Sequence, residues 1–140
     1  MATSPRRPYH GDLRAALVAA ARSLVVAEDA EGLTLRRAAA TAGVPHTAAH
    51  RHLADEAALV AAVAAQGFDE LRASAEAVPG GPLDRLHGIG RAYVGFAAAN
   101  PSLHRLMFGG EVPRRDAHVE LSDALAGTVP ALADAGLAAR

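Results

Sequence analysis

The chain has 140 residues, a length that suits one domain or two small helical units and leaves no room for a third. Its 36 alanines, against three Phe, two Tyr and no Trp, favour helix, because alanine has the best helix propensity while strands want β-branched and aromatic side chains. No cysteine is present, which excludes disulfides, thiol catalysis and thiolate metal sites; the net charge of −1, with arginine as the only cationic type, does not announce a nucleic-acid partner, so any such reading rests on local arrangement.

Residues 1–11, with Pro5, Pro8, Arg6 and Arg7, read as an arm. No apolar run follows that would serve as a signal, and the alanine-rich stretches are too short and too often interrupted by charge to span a membrane, so a cytoplasmic protein is expected. Asp12 is expected to cap a helix running to about Ala27, with Leu13, Leu17, Ala20 or Ala21, and Leu24 on its apolar face. The polar stretch from Glu28 to Gly32 ends it.

Thr34 then caps a short helix whose inward residues are Leu35, Ala38, Ala39 and Ala42, and Gly43 supplies a left-handed stop. Val44-Pro45 opens another short helix to about Leu53, since proline suits a first turn whose N–H groups have no partner. Asp55 caps a long helix from Glu56 to about Ala77 carrying Leu59, Val63, Phe68 and Leu71, and Val78-Pro79-Gly80-Gly81-Pro82 breaks the chain. A further helix presents Leu83, Leu86, Ile89 or Gly90, Tyr93, and Phe96 or Ala97. Asn100-Pro101 ends that helix and caps a short apolar one from Ser102 to Phe108, and a last helix is expected from Arg114 toward Ala135 with Pro130 as a kink. The fold class is all-α, with a head at 1–54 and a helical body at 55–140.

Function is most legible between Thr34 and Leu53. Two short helices joined by a glycine-containing turn can present the second to the DNA major groove. Small residues at Ala39, Ala42 and Ala49 let the pair cross closely, and His46, Thr47, His50 and Arg51 are left to face outward. The bare pattern is of moderate specificity, because any alanine-rich hairpin with a glycine turn gives something similar.

The run Leu33-Thr34-Leu35-Arg36-Arg37-Ala38-Ala39, followed by Ala42-Gly43-Val44 and by His50-Arg51-His52-Leu53-Ala54-Asp55 with Leu59, resembles the head of the TetR family. The resemblance begins at Leu13 and reaches about Ala65. A second stretch, Arg91 to Ala97 with Asn100-Pro101 and Leu106-Met107-Phe108-Gly109, resembles the ligand-binding body of one subgroup. It implies a homodimeric repressor in which each head enters one half-site of a double-stranded operator and a small-molecule effector in the body changes the spacing of the heads. Thr34 would contact a phosphate, and Pro45, His46 and Thr47 would begin the recognition helix. His50 and His52 would lie beside the backbone, Arg51 would face DNA, and Glu56 would start the fourth helix. Three positions depart from the family pattern: His50 stands for the usual Tyr, Leu53 for Phe and Glu56 for Lys. The first and third replace groups that favour phosphate contact. Family bodies also continue for about two more helices, so either a shortened form or a different dimer interface is expected.

Some of these residues admit other readings. His46, His50 and His52 invite a metal, but His52 points about 200° around the helix from His50, so the three do not converge and no metal or cofactor is expected. Glu70, Glu76, Asp84 and His87 show no recognisable catalytic spacing, which argues against an enzyme. Tyr93, Phe96, Met107 and Phe108 either line a ligand cavity or are the largest core residues of an aromatic-poor protein. The alternative to a regulator is a helical interaction protein of the same fold that no longer binds DNA.

Overall fold

The computed structural model describes residues 10–109. Most of the expected arm and the whole of the expected last helix lie outside them. Within them the chain forms α1 (His10–Glu28), a 3₁₀ turn at Ala30–Gly32, α2 (Leu35–Ala42), α3 (His46–His52), α4 (Glu56–Glu76), α5 (Pro82–Ala99) and α6 (Pro101–Phe108). No strand occurs among the described residues, so the all-α class stands. The chain divides into two compact units, one up to Val63 and one from Ala64, with the division inside α4.

In the first unit α1 packs on α2 and α3, and α2 on α3. Leu17, Val18, Ala21 and Val25 of α1 are buried with Leu35, Ala38 and Ala39 of α2, Ala49 of α3, and Leu53, Leu59 and Val63. The buried stripe of α1 is shifted from the expected one: Leu13 and Leu24 are only half-buried, whereas Val18 and Val25 are inside. Val18 and Val25, seven residues apart, share the buried face with Leu17 and Ala21, while Val26 points outward. α1 also begins at His10, ahead of the expected cap at Asp12.

Both ends of α2 follow local chemistry. The Thr34 hydroxyl oxygen accepts from the backbone N–H of Arg37 at 3.1 Å, satisfying one of the donors a helix start leaves without a partner. At the other end Gly43 adopts φ 69°, and the N–H groups of Gly43 and Val44 bond back to Ala40 and Ala39. A Cβ at Gly43 would meet nothing within 4 Å, so the requirement for glycine is conformational and not steric. Gly43→Ala is therefore expected to lower the stability of this unit by about 1 kcal/mol, with Gly43→Asn losing less; urea denaturation of the three proteins checks the order. Arg37 ties the start of α2 back to the preceding segment, pairing with Glu28 at 2.6 Å and donating to the Gly32 carbonyl at 2.9 Å.

Pro45 is the residue before α3 and not its first turn, because its extended ψ of 137° lets α3 begin at His46. Asp55 caps α4 as expected, its carboxylate accepting from Ala58 N–H at 2.8 Å.

In the second unit α5 packs on α6, and Gly67 on α4 brings the backbone close to the Met107 side chain: a Cβ there would lie 2.5 Å from its sulfur. Phe68, Leu71 and Ala75 of α4 are buried, as are Ile89 of α5 and Leu103, Leu106 and Met107 of α6. Asn100 does not cap α6 through its side chain; its amide instead donates to the Phe96 carbonyl at 3.1 Å and closes α5. The expected apolar face of α5 is real but largely uncovered among the described residues, with Leu83, Leu86 and Tyr93 exposed and Ile89 inside.

Candidate functional site

α3 is held to its unit by Ala49, fully buried, and by Leu53 just past its end, with Ala48 and His52 half-buried. At 100° per residue these side chains occupy one half of the helix circumference, and His46, Thr47, His50 and Arg51 occupy an arc of about 140° opposite. All four are exposed. Burial of two small or branched apolar residues thus fixes which residues look outward. The turn Gly43-Val44-Pro45 between α2 and α3 is the three-residue connection of a helix-turn-helix.

The outward arc carries a guanidinium, a hydroxyl and two imidazoles. The His46 and His50 rings meet edge to face with centroids 4.5 Å apart. His50 Nδ1 lies 3.3 Å from the Ala54 carbonyl oxygen, a bond that needs the proton on Nδ1, since a carbonyl only accepts. These contacts hold His50 in place without using its Nε2. Thr34 spends an oxygen lone pair on the cap of α2 and keeps its hydroxyl proton, so capping and donation to an external oxygen are compatible. Pro45 is exposed at the entry to α3, and Asp55 and Glu56 are exposed at the start of α4. Among the described residues no three His, Asp or Glu side chains converge as a metal site.

The second unit contains a pocket of about 260 Å³ lined by Leu71 and Ala75 of α4, by Leu86, Ile89, Gly90 and Tyr93 of α5, and by Phe108 of α6. Of the four residues expected to line a cavity, Tyr93 and Phe108 do so. Met107 is instead buried beside Gly67, and Phe96, half-buried, is not part of the wall. His104, for which no sequence motif predicts a role, joins this region through a 2.8 Å hydrogen bond between its Nε2 and the Tyr93 hydroxyl. Its ring packs on Phe108 with centroids 4.7 Å apart, and Phe108 in turn meets Phe68 edge to face at 5.3 Å. The only forewarning was a tyrosine and a histidine in consecutive helices; their meeting depends on the angle between α5 and α6.

No family model and no curated protein matches the chain. Several solved structures do. A protein of unknown function from Rhodococcus sp. RHA1 is 31% identical, with a TM-score of 0.75 over 96% of this chain and 73% of that one. A possible TetR family transcriptional regulator from Streptomyces coelicolor A3(2) is 25% identical with a TM-score of 0.68, covering 84% of this chain, which spans 57% of that longer one. A TetR transcriptional regulator from Streptomyces coelicolor is similar in fold, at 24% identity and a TM-score of 0.53, over 88% of this chain and 73% of that chain. None of the helices among the described residues is long and apolar enough to cross a membrane.

Proposed function

This chain belongs by its fold to the TetR-like proteins, and from that premise we propose that it is a DNA-binding transcriptional regulator, a cytoplasmic homodimeric repressor whose operator affinity is set by a small molecule. The observation that carries the reading is the arc of His46, Thr47, His50 and Arg51, exposed together on the second helix of a helix-turn-helix while Ala49 and Leu53 anchor the opposite side. Arg51 and Thr47 supply groups that read base edges in the major groove. Thr34, Pro45, His46 and His50 surround them where the DNA backbone would pass, His52 would reach it only from its half-exposed edge beside the anchored side of α3, and Glu56 borders the same surface from α4. Residues 1–54 form the DNA-contacting head and 55–140 the regulatory body, where Tyr93 and Phe108 line the effector pocket.

A mobility-shift assay at low salt with genomic fragments, including the protein's own upstream region, tests this reading. Preferential retardation of one fragment over bulk DNA is the expected result. Uniform absence of binding would favour the alternative, a helical interaction protein of the same fold, which His50 and Glu56 support as departures from the family's phosphate-contacting residues.

A further inference from the structure

The pocket of the second unit is small and almost free of hydrogen-bonding groups, and these two properties narrow what fits it. Among the described residues its walls are aliphatic and aromatic side chains together with the glycine at position 90, and of these Tyr93 alone has a side chain that carries a polar atom. That atom is engaged at 2.8 Å with His104 Nε2, and His104 is not part of the wall. Tyr93 therefore offers the pocket its ring and holds its hydroxyl on α6. At about 260 Å³ the space falls below the roughly 300–1,000 Å³ of sites for drug-sized ligands, and exceeds the roughly 150 Å³ apolar cavity that takes up benzene.

Deepening the effector reading, on which this step rests, we propose that the ligand is an uncharged, essentially apolar molecule of one or two fused rings, chosen by shape and aromatic packing and selected against by any polar group it carries. A donor turned toward this wall loses water on that side and finds no partner in the wall. The Tyr93–His104 bond contributes to this specificity by holding the hydroxyl, whose oxygen keeps a lone pair, against α6 and off the wall.

Indene and indole make the test, being near-isosteric while only indole carries an N–H, with benzoate as the charged probe. Dissociation constants come from the concentration dependence of the melting temperature. The wild type is expected to bind indene at least about fivefold more tightly than indole and to show no shift with benzoate, fivefold being the lower end of the cost of a buried unmatched donor. Gly90→Leu fills the pocket, where a Cβ has open space, and removes the indene shift while leaving α5 at least as stable. Gly95→Leu makes the same helix change outside the wall and keeps it. His104→Leu narrows the gap between indene and indole by freeing the tyrosine hydroxyl. Indole or benzoate binding as tightly as indene at a site blocked by Gly90→Leu would overturn the apolar class and leave the effector reading intact. No shift with any of the three would remove the pocket as an effector site, and this inference with it.

Discussion

Replacing Glu56 with lysine is expected to tighten DNA binding roughly eightfold at 0.1 M salt and to steepen the log–log salt dependence by about 0.9, the slope of one added phosphate contact extrapolated from 1 M. Glu56 is exposed at the first residue of α4, in the turn directly after α3 and its C-cap Leu53. A helix start attracts phosphate through its N–H groups and its positive dipole end. Here that field is already taken, because the Asp55 carboxylate caps Ala58 N–H, and Glu56 adds a second negative charge. Sequence preference should barely change, since phosphate contacts position the protein without reading bases. Stability moves the other way: exchanging an acid for a base in the first turn costs about 0.5–1 kcal/mol. A titration of both proteins against one duplex at several salt concentrations, with melting curves alongside, separates the two effects. Unchanged affinity and slope would mean that Glu56 does not border the DNA.

Leu35→Ala should have the largest effect on the fold itself. Leu35 is 2% exposed on α2, the helix that packs on both α1 and α3, and removing its side chain is expected to cost about 2–5 kcal/mol. Against the roughly 5–15 kcal/mol that holds a whole domain together, that is enough to unfold the first unit well below the wild-type melting temperature and to abolish DNA binding there. Val26→Ala on α1 is the control: its side chain is 59% exposed, and the change should stay within about 0.5 kcal/mol. Urea denaturation with comparable slopes for the three proteins checks the comparison. Equal losses from the two substitutions would contradict the assignment of Leu35 to the core.

What was legible in advance and what was not separates by range. Thr34, Gly43 and Asp55 act on backbone groups within five residues, so their caps and the left-handed stop followed from residue type and spacing. The packing of α2 on α3 spans only the short glycine turn between them, and burial of Ala49 and Leu53 leaves His46, Thr47, His50 and Arg51 on one outward arc. The face of α5 was read correctly as apolar, but periodicity does not say what covers a face, and Leu83, Leu86 and Tyr93 proved exposed. Asn100 was ambiguous because one amide lies within reach of two helix ends, and it serves the earlier. The Tyr93–His104 bond and the close approach of Met107 to Gly67 join separate helices, and no local pattern encodes such a crossing.

Contact of the first unit with DNA through α3 can be followed in the backbone amide resonances of the labelled protein during titration with the preferred duplex at low salt. The amides of Thr34, His46, Thr47, His50 and Arg51 are expected to shift together and saturably, followed by those of Asp55 and Glu56, while the pocket residues around Tyr93 move little. Binding that leaves Leu35–His52 unshifted, or the absence of any shift at low salt, would contradict this contact.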